Sequence, residues 1–187
     1  MPDDSAAESA RVERVEAILT GGYIGRDKAA EVAAKVPEAR DRILGWLGAA
    51  ADAEDWRRFE RLAAAAVHLH PDGLAPILVR ALAADATGVN SEDLVDMLGE
   101  LRAPEAVEAI GRLVHRRRDV DGPFFPLCIK GIQALGEIGT PDAEQFLTTV
   151  ATSAPGEWPD PLRWHAAEQL GIEDELGFDE DEMLGGV

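Results

Sequence analysis

The sequence predicts an all-α protein built from repeated helical hairpins. The first observation behind this is a duplication. Leu98-Gly99-Glu100-Leu101-Arg102-Ala103-Pro104-Glu105-Ala106 returns 37 residues later as Leu135-Gly136-Glu137-Ile138-Gly139-Thr140-Pro141-Asp142-Ala143. In both copies an apolar helix end runs into a turn, and Pro followed by an acidic residue opens the next helix. The second is composition: 46% of residues are hydrophobic but only 5% aromatic, and Ala is abundant. Such a core is assembled from small and aliphatic side chains at close helix contacts, which favours helices over strands. The third is the recurrence of apolar residues at helical spacing in one segment after another.

The elements follow in order. From about Ser5, the spacing of Val12, Val15, Ile18 and Leu19 predicts a helix that Gly21-Gly22 stops. A second helix runs from Arg26 to Lys35, and a third from Pro37 to about Ala50 with Ile43, Leu44, Trp46 and Leu47 on its apolar side. Asp55 to Leu69 is the next, closed by the turn His70-Pro71-Asp72-Gly73 and followed by Leu74 to Ala84. Asn90 or Ser91 caps a helix through Leu101, whose acidic first turn suits the helix dipole. Pro104 to about Arg118, Phe125 to Ile138 and Pro141 to about Thr152 come next. After a loop from Ser153 to Asp160, Leu162 to Leu170 is the last well-signalled helix. The tail from Ile172 to Met183 holds seven acidic residues and no basic one. It is read either as disordered or as a short terminal helix docked through Leu176, Phe178 and Leu184. The expected division is therefore a helical cap over 1–54, packed on the repeats, then repeats over 55–171 and an acidic tail over 172–187.

Two helices per period of about 35 residues is the signature of an α-solenoid, in which no single hairpin buries its own apolar side. Asp160-Pro161-Leu162-Arg163, followed by Ala166-Ala167 and Leu170-Gly171, joins the duplicated turn in a familiar pattern. On these residues the chain, over roughly Asp55 to Leu170, resembles HEAT-like repeats of the short kind first noticed in phycobilisome lyases. Cys128 and Ser91 stand where the pattern has Arg163. The resemblance implies a right-handed α-α superhelix of about five hairpins with an irregular N-terminal cap. It also implies that the second helices of successive hairpins lie side by side on a concave surface.

On that surface the repeat offsets of 37 and 35 place Glu168 beside Gln133 and Gln133 beside Asp96. The same offsets set His165 beside Lys130 and Asp93, Trp164 beside Ile129 and Glu92, and Glu137 beside Glu100. Within one helix Asp93, Asp96 and Glu100 share a face opposite Leu94, Leu98 and Leu101. The expected site is thus an acidic stripe of Glu92, Asp93, Asp96, Glu100, Gln133, Glu137 and Glu168, with Trp164 as an apolar anchor. The plainer account is that these residues form the solvated face that every amphipathic helix has.

The net charge of −18 opposes nucleic acid or an anionic membrane as partner, because phosphate binding needs clustered cations. A basic protein or peptide is the natural counterpart, although strong acidity also simply keeps a protein dispersed. Cys128 is the single cysteine and sits in an apolar run, where a buried structural thiol is expected rather than a nucleophile. The N-terminus is acidic where a secretory signal is basic, and no apolar run approaches the ~18 residues needed to span a bilayer. A cytoplasmic location is expected.

Catalytic chemistry finds little footing. His68 and His70 lie at a helix end, and His165 with Glu168 makes at most half a metal site. Some HEAT-like proteins are di-iron hydroxylases with repeated His-Glu pairs, but no adjacent His-Glu pair occurs in this chain. Asp119-Val120-Asp121-Gly122 lacks the later ligands of a calcium loop and reads as a turn. The cluster His115-Arg116-Arg117-Arg118 falls at a helix C-terminus, where cations neutralise the dipole. Trp158 and Trp164 bracket a Pro-rich loop and suit either a binding hot spot or a cover for the terminal repeat.

The sequence therefore predicts a binding module, not an enzyme, with no cofactor and no metal. It is expected to be an adaptor or inhibitor of a basic protein, monomeric by default with pairing of the ends as the alternative. In its sharper form it is an immunity-type protein covering the cationic active site of a toxic nuclease. The competing expectation is a HEAT-like enzyme or lyase-type protein that holds a small molecule in an apolar groove.

Overall fold

The computed structural model describes residues 3–179 and Met183. It is all-helical, and among the described residues no strand forms; an isolated bridge joins Pro155 and Trp158. The chain divides into two compact units, Met1–Asn90 and Ser91–Val187, so both sides of the 54/55 boundary read from the repeats fall in the first.

The first unit contains α1 (Asp3–Leu19), α2 (Arg26–Lys35), α3 (Ala39–Asp52), α4 (Trp56–Leu69) and α5 (Leu74–Ala84). Against α4 pack α1, α2 and α3, because it buries the broadest apolar face: Phe59, Leu62, Ala63, Ala65, Ala66 and Val67. Opposite stand Val12, Val15 and Leu19 of α1, Ala29 and Val32 of α2, and Ile43, Trp46, Leu47 and Ala50 of α3. Truncating the fully buried Phe59 to Ala costs about 3–5 kcal/mol, because the hole is only partly refilled. The Asp55 carboxylate accepts the Arg58 N–H at 3.1 Å and fixes where α4 starts. It ends at His70, whose backbone is left-handed (φ 50°). Polar contacts fasten α1 from outside: Trp46 Nε1 donates to Glu8 at 2.6 Å, Arg11 to Glu38 at 3.0 Å, and Arg58 and Arg61 both reach Glu16.

The second unit contains α6 (Ser91–Glu100), a 3₁₀ turn (Pro104–Ala106), α7 (Val107–Arg117), α8 (Pro126–Ile138), α9 (Pro141–Ala151) and α10 (Asp160–Leu170). Helix α8 lies between α6 and α10, while α7 and α9 touch each other and pack against it. Its buried residues, Leu127, Cys128, Gly131, Ile132, Ala134, Leu135 and Ile138, share one broad side of the helix, the side that packs against its neighbours. Close approach depends on missing side chains: a Cβ at Gly99 would stand 3.0 Å from Ala134 Cα, and one at Gly131 would overlap a Val114 methyl. The duplicated turn reverses through a left-handed residue both times. Gly139 is left-handed with φ 61°, and Arg102, its counterpart, is left-handed with φ 48°. After Gly139, Thr140 caps α9 through the Ala143 N–H at 3.3 Å; after Arg102, Ala103 has no such oxygen, and the first turn is 3₁₀.

Glu173 to Gly177 of the tail forms a run of turns, and Met183 further on is helical, its N–H donating to Asp179 O at 3.0 Å. The Phe178 ring lies 5.4 Å from the Arg163 guanidinium, whereas Leu176 is 41% exposed and does not dock. Leu184, the third predicted docking residue, lies outside the described residues.

Candidate functional site

The second unit places the predicted stripe. On α6, burial of Leu94, Val95, Leu98 and Gly99 turns Asp93, Asp96 and Glu100 outward, with Glu92 half-buried at the edge. On α8 the same logic exposes Gln133 and Glu137. Asp96, Glu100, Gln133 and Glu137 come together along one cleft of about 470 Å³, with Gly99 and Ala134 at its floor and Arg102 and Lys130 also lining it.

The register differs from the repeat offsets. Gly99 faces Ala134 and Gly136 faces Gln169, so neighbouring helices meet at offsets of 134 − 99 = 35 and 169 − 136 = 33, two fewer than 37 and 35 in each case. A sequence repeat aligns equivalent positions of the fold, but side chains meet according to how the helices lean on one another. Lys130 accordingly binds one turn away from the expected Asp93. Its ammonium donates to Asp96 Oδ2 at 2.5 Å and lies 3.8 Å from Glu92 Oε2. The hydrogen bond to Asp96 raises the Lys130 pKa first; partial burial opposes it, and the charges of Asp96, Glu92 and Asp93 reinforce it. The face is therefore not uniformly acidic. Glu168, expected beside Gln133, does not line the cleft; its carboxylate meets His165 Nδ1 at 3.2 Å.

Trp164, expected as an apolar anchor on the surface, is buried. It is only 6% exposed, because α10 is buried on more than one side: Leu162 and Ala166 fill one, and Trp164 lies with Ala167 on another. Its ring centroid lies 4.5 Å from that of His165, and it is a packing residue, not a surface anchor.

Trp158, the basic run and Cys128 have local partners. Trp158 is 7% exposed and collects three of them: the Arg118 guanidinium lies 4.8 Å from its centroid, the His115 ring meets it edge-on at 5.7 Å, and Phe146 does so at 6.2 Å. This cluster fastens the 153–160 loop to α7 and α9, with a cation–π contact using part of the basic run. The Asp121 carboxylate accepts the Cys128 N–H at 2.8 Å and satisfies an open donor in the first turn of α8. Cys128 is buried, and its thiol is pushed up to about 12, first by burial and then by the Asp121 charge. Such a thiol is inert as a nucleophile, because the thiolate is the reactive form.

A second cleft of about 690 Å³ opens along α7 and α9, with Pro104, Val107 and Phe146 as its apolar lining and Arg112, His115 and Asp142 among its polar groups. Among the described residues no three His, Cys, Asp or Glu side chains are arranged to hold a metal ion, and no helix is long and apolar enough to cross a membrane.

The fold and site define a layered all-helical unit with a charged cleft on one face. No family model, no curated protein and no solved structure matches the chain.

Sequence reasoning placed Lys130 on this surface, beside Asp93, but left it out of the acidic site, and it missed Arg102. Lys130 had a signal, since it lies three residues before Gln133 and seven before Glu137, on the same α8 face. Arg102 had none, because only the packing of α8 beside its turn makes it part of a cleft.

Proposed function

We propose that the protein is a non-catalytic binding module that docks a basic protein or peptide segment on the face of α6 and α8, acting in the cytoplasm. The observation that carries this reading is the convergence of Asp96, Glu100 and Glu137 with the Gln133 amide on one cleft. Cationic side chains entering such a cleft gain charge-assisted hydrogen bonds, and the surrounding acidity steers them in. The layering of α6, α8 and α10 with α7 and α9 supports assigning the hairpins to a right-handed, HEAT-like α-α superhelix. Inhibition of a basic toxin, such as a nuclease, is the sharper form of the same proposal: a net charge of −18 is suited to rapid capture of a cationic active site.

The test is fluorescence anisotropy with a labelled oligolysine peptide. Asp96→Asn, Glu100→Gln and Glu137→Gln together are expected to weaken binding about tenfold or more, as loss of charged pairs does. Neutralising Glu13, Asp52 and Asp72, exposed in the first unit, should change Kd by about twofold or less, because their contribution is long-range only. Equal losses in the two variants would reduce the cleft to a generic part of an acidic surface. The α7/α9 cleft favours a second reading, a small molecule held against Phe146 and Val107. Binding there would be nearly indifferent to salt.

A further inference from the structure

We propose that Phe124, with Val120, is the apolar contact of this binding face, so that the segment docking there is a basic amphipathic one rather than a purely cationic chain. The proposal rests on the α6/α8 face being the docking surface.

Phe124 is 80% exposed and Val120 71% exposed, and both belong to the turn between α7 and α8. The turn itself is well fastened. Val120 N donates to Arg117 O at 2.8 Å, Phe125 N to Gly122 O at 3.4 Å, and the Asp121 carboxylate ties the turn to Cys128 in α8. Phe125 is left-handed, φ 49°, and directly precedes Pro126. A bulky aromatic seldom takes that conformation, and strain of this kind persists only where the surrounding contacts enforce it. Phe124 is therefore presented to solvent from a held backbone.

Its position just before α8 suggests a partner. Pro126, Lys130, Gln133 and Glu137 follow one another at spacings of four, three and four along α8, a single exposed to half-exposed stripe. Phe124 stands just before the start of that stripe. The cleft with Asp96, Glu100 and Glu137 lies toward its end, about 16 Å further on at 1.5 Å per residue from Pro126 to Glu137. A segment covering both meets an aromatic group at one end and carboxylates at the other. Charge complementarity selects cations at the carboxylate end, and removal of Phe124 from water selects an apolar side chain at the other. This supplies the apolar contact that the sequence had assigned to the buried Trp164.

Two labelled peptides of equal length and charge distinguish the possibilities, one of Lys and Ser, the other with Leu in place of Ser at helical spacing. The Leu peptide is expected to bind the wild type about tenfold tighter, and Phe124→Ser to cut that advantage to about twofold or less. The Lys/Ser affinity and the thermal midpoint of F124S should stay at wild-type values, since Phe124 is exposed. An advantage that survives in F124S overturns the inference, as does a sedimentation result in which F124S converts a dimer to a monomer, which would make a second copy the occupant. If D96N/E100Q/E137Q binds both peptides like the wild type, or if neither peptide binds the wild type, the acidic-face reading falls and takes this inference with it.

Discussion

Arg102 shows how much one residue can reveal when a repeat supplies its control. Gly139 occupies the same place in the second copy of the turn at nearly the same φ, with no side chain to strain. A left-handed Arg costs about 1–2 kcal/mol, part of which Gly gives back through its freer unfolded chain. Arg102→Gly is therefore expected to raise the unfolding free energy by about 0.5–1 kcal/mol, and Gly139→Arg to lower it by a similar amount or more. Urea midpoints of the two variants check both signs. A stability loss in Arg102→Gly would mean that the guanidinium contributes more at the cleft than the turn loses in strain. Trp164 gives the opposite lesson. Its residue type suggested an anchor, but burial on the interior side of α10 decides its role.

At the scale of the element, α1 buries Val12, Val15 and Leu19 and is in addition fastened to α3 by polar contacts. The Trp46 indole N–H holds the Glu8 carboxyl below its ordinary 4.5 against a smaller burial penalty, with Arg42 and Arg11 adding to the lowering. Glu38 is also lowered, first by a backbone hydrogen bond of its own and then by Arg11. A carboxyl lowered on folding contributes stability above its unfolded value, and the contribution disappears as pH falls through the folded value. Glu8→Gln should thus unfold at a lower temperature than the wild type at pH 7, with the gap closing as the pH is taken below 4.5. Circular dichroism melts across that range test it, and a gap independent of pH would assign the effect to packing instead. Helices α1 to α10 were legible in the sequence because Gly, Pro and helical spacing act locally; the meeting of α6 with α8 was not, because the lean of two helices is a property of both.

For the whole molecule, charge sets how a partner arrives more than how tightly it stays. The net −18 produces a field that acts before contact and is screened within about 8–10 Å at ordinary salt. Raising salt from roughly 50 to 500 mM should therefore slow association of a cationic peptide by about tenfold or more. Neutralising Asp96, Glu100 and Glu137 should chiefly speed dissociation, which is where local contacts act. Stopped-flow traces separate the two. A salt effect residing wholly in dissociation would remove steering from the account.

The sequence by itself determined the all-helical class, the position of nearly every helix, the buried state of Cys128 and the outward face of α6. Each follows from local rules: side-chain period, turn chemistry, and the desolvation cost of charge. Only the tertiary structure decided that Lys130 reaches Asp96, that Arg102 turns into the cleft, that Trp164 is covered and that Phe124 is not. Those outcomes depend on distances between segments far apart in the chain, which close packing around α8 sets through Gly99 and Gly131.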